Sequence, residues 1–383
     1  MNILLITHES QLTIPLRTPI AETYAHLVKR GHEVYGIIYT NKIDSIMEDS
    51  WRGIRIIYFP RKRRIFSRIS LIRYIQRTIK ERKIDIVKVR NDVVGALSIF
   101  SALKIMRNPP KLVFQYTWPT HLIKNSKTAN TTLKNVFKLA DLILPISTYL
   151  GEYIIQKFKV SSEKVFPLPS GVNQDLFNPY RYRSVKISEG LPKVEKIILY
   201  VGRIDKNRRL EIILNIVKNL LEMGVDVGGV LVGKGDAVTE LKERSKRLGI
   251  EDKILFTGLI DYHEIPRYTA ASDLCLSLLP PTPLHIFSSP IKLFEYMAME
   301  KPVIANKEIP EHRRVLEASK GGLLVEYNLQ DITEKALKIL TDHDKAFELG
   351  KNGRKWTLEN RTYKILAERL EEKYDKLIIS GKS

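Results

Sequence analysis

Short apolar runs alternate with amphipathic stretches along almost the whole chain. In the first half the runs are Asn2–Thr7, Glu33–Tyr39, Ile54–Phe59, Asp85–Arg90, Leu112–Thr117, Leu142–Ser147 and Lys164–Leu168. They are rich in Ile, Leu and Val and bounded by polar or turn residues, so each predicts a buried strand. Between several of them apolar positions recur at helical spacing, as in Ile20–Arg30, which Gly31 closes as a C-cap. The second half has the same plan, with strands over Lys196–Val201, Val227–Val232, Lys253–Thr257, Leu274–Leu279, Pro302–Asn306 and Leu323–Glu326. From Asp331 onward the pattern is helical and charged. Strand, helix, strand in this order predicts parallel sheets with crossover helices, that is, two Rossmann-like α/β halves. Asn178–Pro192 carries Pro179, Gly190 and Pro192 with few apolar residues and separates them. The expected organisation is a first domain over 1–178, a linker over 179–192, a second domain over 193–355 and a helical segment over 356–383.

A chain of 383 residues suits about two domains. Its 44% hydrophobic and 8% aromatic residues are those of an ordinary globular protein. No apolar run approaches the roughly 18 residues of a spanning helix. Met1–Thr7 lacks the basic region and cleavage site of a signal peptide and fits a first strand instead. The single cysteine, Cys275, leaves no internal disulfide; it suits a small core residue in a reducing, cytoplasmic compartment. Charge changes the picture more. The net charge of +20 is uneven: residues 1–180 hold 28 Lys/Arg against 13 Asp/Glu, and residues 181–383 hold 35 against 30. Such a field on one half points to an anionic partner there, whether a membrane surface, a phosphorylated acceptor or nucleic acid. Arg61–Lys83 holds ten of the cations and one Glu, with Ile65, Ile69, Ile72 and Ile79 at helical spacing. Two readings stand: an interfacial helix on anionic lipid, or a stripe packed on the first sheet beneath a solvated basic face. No aromatic platform, zinc knuckle or recognition helix supports a nucleic-acid partner.

Parallel sheets bind ligands at the carboxyl ends of their strands, so candidate chemistry is sought in the loops that follow them. After Lys196–Val201 comes Gly202-Arg203-Ile204-Asp205-Lys206-Asn207-Arg208-Arg209, where glycine lets the backbone approach a diphosphate and guanidinium groups grip its oxygens. A solvated basic loop is the alternative. After Val227–Val232 comes Gly233-Lys234-Gly235-Asp236, a dinucleotide-like turn without its third glycine, or simply a tight strand-to-helix turn. Gly258 and Leu259 end a further strand, where a nucleobase can rest. The fullest constellation is Ser288-Ser289-Pro290-Ile291-Lys292-Leu293-Phe294-Glu295-Tyr296-Met297-Ala298. Pro290 suits a first helical turn, and Ser288 and Ser289 then stand at a positive helix end able to hold phosphate. Glu295 can accept from both hydroxyls of a ribose. The bland alternative is a capped helix with one polar residue facing solvent.

These pieces in this order resemble the family-4 glycosyltransferases of the GT-B fold, over about residues 1–330. Arg203 matches the family's Gly-Arg, and Arg208 occupies the position of its Lys. Gly233–Asp236 matches its glycine turn, and Glu295 the second of two glutamates eight positions apart, the one that binds the ribose. Phe287 stands where the first glutamate, which holds the donor sugar, is usual; the Ser-Pro-x-Lys-Leu-Phe-Glu-Tyr-Met-Ala form of the segment belongs to a branch of the family. There Ser289 and Lys292 lie near the diphosphate and sugar. Ala140–Ser147 and Pro169–Phe177 are similar to the strand before the family's linker and its hinge strand. The glycine-rich loop after the first strand is replaced by His8–Pro19, and the family's histidine near the fifth strand falls at Gln115, Tyr116 or Thr117. Gln115, Tyr116 and His121 are therefore the acceptor-side candidates.

The resemblance implies two Rossmann-like domains facing across a cleft, with the C-terminal helix returning toward the first. It implies a retaining transfer from a UDP- or GDP-linked sugar to a hydroxyl of an acceptor glycan or lipid-linked saccharide. It also implies no cofactor and no metal, because Arg203 and Arg208 neutralise the leaving diphosphate. The enzyme would act in the cytoplasm, peripheral to the inner face of the cell membrane. Asp342-His343-Asp344 has the form of a metal-binding Asp-x-Asp, but in a charged helical tail. An inactive nucleotide-sugar-binding partner protein, a nucleotide-sugar epimerase of the same architecture and a basic nucleic-acid-binding protein are the rivals.

Overall fold

A computed structural model describes residues 1–8, 19–60, 65–119, 126–182 and 190–379. The chain divides into two units, Met1–Ser170 with Tyr363–Ser383, and Gly171–Thr362. In the first unit the strands are β1 (Asn2–His8), β2 (Glu33–Thr40), β3 (Met47–Trp51), β4 (Ile54–Pro60), β5 (Ile86–Arg90), β6 (Lys111–Tyr116) and β7 (Leu142–Pro145). They form one sheet in the order β3-β4-β2-β1-β5-β6-β7, parallel except for the β3–β4 pair. Its helices are α1 (Pro19–Lys29), α2 (Ile65–Arg82), α3 (Val93–Lys104), α4 (Lys127–Leu139) and α5 (Thr148–Phe158). Strand β3 carries no signal in the sequence, because Met47-Glu48-Asp49-Ser50 is exposed throughout and only edge pairing with β4 extends it. Lys164–Leu168 does not form the expected strand. It runs beside β7 with one bridge, Ile143 to Val165, and Pro167 and Pro169 supply no amides for a longer ladder.

The second unit holds β8 (Lys196–Val201), β9 (Val227–Val232), β10 (Ile254–Gly258), β11 (Leu274–Ser277), β12 (Val303–Asn306) and β13 (Gly322–Val325). All pair in parallel, in the order β10-β9-β8-β11-β12-β13. Its helices are α6 (Glu211–Glu222), α7 (Val238–Arg247), α8 (Ile265–Ala270), α9 (Ile291–Ala298), α10 (Pro310–Ser319), α11 (Leu329–Thr341) and α12 (His343–Asn360); α13 (Tyr363–Ile379) joins the first unit. Alternation builds two cores. Ile198 and Tyr200 of β8 enter the layer under α6 and α11, and Ile197, Leu199 and Val201 the opposite layer with α9. The strand order reverses between β8 and β11, the place where open α/β sheets leave a crevice at their carboxyl ends.

The chain leaves the first unit between Ser170 and Gly171, ahead of the segment expected to link them, and returns between Thr362 and Tyr363. The Val172 amide donates to the Arg361 carbonyl (2.8 Å), and Val172 and Phe177 are fully buried in the second unit. Residues 183–189 of the expected linker lie outside the described residues. Helix α13 packs on α1, where the Tyr24 and Tyr374 hydroxyls meet at 2.9 Å and Leu366, Ala367 and Leu370 enter the core. The C-terminal helix thus returns to the first unit. In α2, Leu71, Ile75 and Ile79 are buried, while Arg68, Ile69, Arg73, Arg77 and Lys80 are exposed. The packed stripe is thus Leu71, Ile75 and Ile79; of the expected stripe Ile79 is buried, Ile72 is half-buried and Ile69 is exposed, and the basic face is solvated. Residues 61–64 of the basic stretch lie outside the described residues, as do the side chain of Ile65 and most of His8–Pro19.

Candidate functional site

Two loops close on each other at the carboxyl ends of β8 and β9. The Gly202 amide donates to the Val232 carbonyl (2.9 Å), the Ile204 amide to Lys234 (3.0 Å) and the Gly233 amide to Gly258 (3.0 Å). Gly233 has φ +141°, and a Cβ there would lie 1.9 Å from the Gly202 oxygen; only glycine fits. Asp236 accepts from the Lys206 amide (2.9 Å) and fixes the loop from below. With Leu259, Ile260 and Ile265, these loops wall a groove of about 900 Å³, ample for a nucleotide.

Helix α9 stands at the end of β8 because Leu293, Phe294, Tyr296 and Met297 are buried and the Val201 amide donates to the Tyr296 hydroxyl (2.7 Å). This fixes Lys292 and Glu295. The Lys292 ammonium lies 3.6 Å from the centre of the Tyr200 ring and close under Gly202, whose missing Cβ would stand 2.9 Å from it. Glu295 is 4% exposed and accepts from the Tyr262 hydroxyl (2.6 Å). Burial pushes its carboxyl up to about 7, although Tyr262 and Lys292 both pull the other way. Burial, with the Arg208 guanidinium nearby, presses the Lys292 ammonium well below its ordinary range. The buried Nε of Arg208 has no hydrogen-bond partner among the described residues. A buried carboxylate and two cations with few counter-charges form a site arranged for an anion beside hydroxyl donors.

The other expected site residues are placed differently. Arg203 is exposed and lines the groove, its Nε donating to Asp205 at 2.5 Å. Pro290 is the cap of α9, in extended conformation, and the helix starts at Ile291. Ser288, half-buried, donates its amide to the His285 carbonyl (2.9 Å). Ser289 is buried with its hydroxyl 3.4 Å from Glu311, which is itself held by Arg361 (2.6 Å). Its side chain therefore faces the interior, so Ser289 has only its backbone left for the phosphate role. Phe287 is buried, as an aromatic side chain in this loop must be. Gln115 and Tyr116 are fully buried in β6, Gln115 accepting from the Lys88 ammonium (2.7 Å), so neither can meet an acceptor. His121 lies outside the described residues. Asp342 caps α12, accepting from the Lys345 amide (2.9 Å), so Asp342-His343-Asp344 is a helix start. Among the described residues, no group of three His, Cys, Asp or Glu could hold a metal, and no helix is long and apolar enough to cross a membrane. Tyr200, Tyr262 and His285 are not legible in the sequence: Tyr262 reaches Glu295 from a distant turn, and Tyr200 and His285, although next to the motifs, carry no local signal of where their rings point.

Known proteins resemble the chain over both of its units. Residues 18–176 match the family Glycosyltransferase Family 4, and residues 183–356 match Glycosyl transferases group 1. Alpha-monoglucosyldiacylglycerol synthase of Streptococcus pneumoniae is 24% identical over 390 residues, covering 95% of this chain and 83% of that protein. A GDP-mannose-dependent alpha-(1-6)-phosphatidylinositol monomannoside mannosyltransferase of Mycolicibacterium smegmatis is 23% identical over 249 residues, 64% of each chain. The Anabaena protein HepE, solved in complex with UDP, superposes with a TM-score of 0.77 at 17% identity, over 98% of this chain and 100% of that one. This likeness shows the GT-B fold of two Rossmann-like domains. With one half matched by each family and the whole fold by their solved relatives, the chain belongs to the family-4, group-1 glycosyltransferases.

Proposed function

We propose that the chain transfers a sugar from a UDP- or GDP-linked donor to a hydroxyl of a lipid-linked or cell-surface glycan precursor, with retention at the anomeric carbon. The observation that carries this reading is the grouping of Glu295, Lys292 and Arg208 at the reversal point of the second sheet. An ionised Glu295 accepts from the ribose hydroxyls, and the two cations, with the amides that open α9, receive the diphosphate. Arg203 meets the same anion from the rim. In the transfer the bond from the anomeric carbon to the phosphate oxygen breaks, and the acceptor oxygen bonds to that carbon on the same face. The acceptor's proton passes to the departing phosphate oxygen. Arg208 and Lys292 stabilise the charge that grows on the diphosphate, the contribution a metal supplies elsewhere, so the reaction proceeds without one.

The relatives named for glucosyldiacylglycerol and phosphatidylinositol mannoside support a lipid acceptor. So does the excess of cations in residues 1–180, which suits the inner face of a cell membrane in the cytoplasm. The test is a thermal-shift screen of UDP, GDP and their sugars, followed by transfer assays. The expected result is a raised unfolding midpoint with one base, and a rate at least a hundredfold lower in Glu295→Ala and Arg208→Ala with the fold intact. Full activity in both variants would sink the site.

A further inference from the structure

His285 lies in the loop between β11 and α9, three residues before Ser288, and is 2% exposed. Its Nδ1 is 3.0 Å from the Pro280 carbonyl, with the Thr282 hydroxyl at 3.2 Å. A carbonyl oxygen only accepts, so Nδ1 carries a proton and donates. The other ring nitrogen, Nε2, is buried and has no hydrogen-bond partner among the described residues. Leaving a buried polar atom this way is costly, so its position calls for a ligand.

The state of Nε2 decides which ligand. Burial disfavours the charged ring, and Arg208 and Lys292 stand close enough to press its proton affinity down further. Neutral, with Nδ1 protonated, the ring presents at Nε2 a lone pair and no hydrogen. A diphosphate offers only acceptors, whereas a sugar hydroxyl offers a donor. The charged neighbours of His285 are the two cations expected to hold the diphosphate. A group at Nε2 is therefore beside the phosphates, where the sugar of a donor begins. The loop also lacks an acidic side chain that would otherwise accept from that sugar, and Phe287 in it is buried.

We propose that His285 is a specificity-determining residue of the donor site, its Nε2 accepting a hydrogen bond from a hydroxyl of the transferred sugar. This rests on the donor site described above. In this loop, which has no acidic side chain, a neutral imidazole held by Pro280 supplies the acceptor. It selects donors with a hydroxyl at the matching carbon and leaves the nucleoside diphosphate untouched.

The test compares binding of UDP, GDP, UDP-glucose, UDP-galactose, UDP-N-acetylglucosamine and GDP-mannose to the full chain by calorimetry. His285→Asn keeps an amide where Nδ1 meets the Pro280 carbonyl and deletes Nε2; His285→Gln returns an acceptor near Nε2. The expected result is that His285→Asn weakens the preferred nucleotide sugar about tenfold while the parent diphosphate stays within twofold, and that His285→Gln recovers part of the loss. Unfolding midpoints of the unliganded variants show that the loop is intact. Equal weakening of sugar nucleotide and diphosphate overturns the proposal, because it marks a phosphate contact or a collapsed loop. Unchanged binding of every sugar nucleotide overturns it as well. If the unaltered chain binds neither UDP nor GDP, the donor site itself fails and this inference with it.

Discussion

Glu295 has lost the water that keeps an ordinary carboxylate ionised, and one hydrogen bond from Tyr262 with one nearby cation does not replace it. In the fold it keeps its proton to about pH 7, against an ordinary value of 4.5. Between those values the folded state binds more protons than the unfolded one, so stability falls as pH rises through that window. Glu295→Gln, neutral throughout, removes this slope. Relative to the variant, the native chain is expected to lose roughly 2–3 kcal/mol between pH 4.5 and 7.5, read from denaturant melts at each pH. Parallel curves for the two proteins would show that Glu295 is ionised in the free fold. In the proposed site ribose hydroxyls donate to the charged carboxylate, so a nucleotide sugar is expected to bind more tightly at pH 8 than at pH 6, read by calorimetry. On that proposal a carboxylate is useful here although its burial is costly, because the ligand supplies the donors that the fold withholds.

At the scale of elements, helix starts decide which motifs carry chemistry. Asp342 accepts the Lys345 amide and opens α12, the role that Asp residues most often take before a helix. Asp342→Ala is expected to cost about 1 kcal/mol in denaturant melts and to leave transfer, with or without added Mn²⁺, unchanged. A selective loss of Mn²⁺-stimulated transfer would instead make it a ligand. Helix α9 starts in the opposite manner, with Pro290 as its cap and no side-chain cap bond, which leaves its first amides for a ligand. The contrast was only half legible in the sequence. Periodicity located the buried strands of both sheets, because strands covered on both faces are continuously apolar. It could not show β3, which has no buried face, or that Pro167 stops a ladder at one bridge. Within the site, Lys292 and Glu295 were legible because one short helix carries both at a spacing that puts them on one side. The inward direction of Ser289 was not legible because it depends on a partner, Glu311, that no local pattern names. Tyr262, thirty-three positions from Glu295, meets it only through the fold.

For the whole molecule the uneven charge is the property that no single element explains. Cations outnumber carboxylates 28 to 13 in residues 1–180, and on α2 the exposed Arg68, Arg73, Arg77 and Lys80 belong to that excess. The apolar stripe of α2 is already committed, since Leu71, Ile75 and Ile79 are buried, leaving Ile69 as its one large exposed apolar side chain among the described residues. Among the described side chains of this helix little apolar area is therefore left to enter a bilayer, and their attraction to lipid must be mainly electrostatic, about 1 kcal/mol per basic residue near an anionic surface. Such attraction is screened over about 10 Å at 0.1 M salt and about 3 Å at 1 M. The chain is expected to float with vesicles containing anionic phospholipid at 50 mM salt and to be released at 500 mM, while neutral vesicles leave it in solution at both. Arg73→Glu with Arg77→Glu, both on the solvated face, is expected to weaken binding without lowering the unfolding midpoint. Binding that survives high salt would mean that apolar insertion outweighs charge. No binding at low salt would remove the membrane from the proposed acceptor and leave the cations of the first half to a soluble, phosphorylated one.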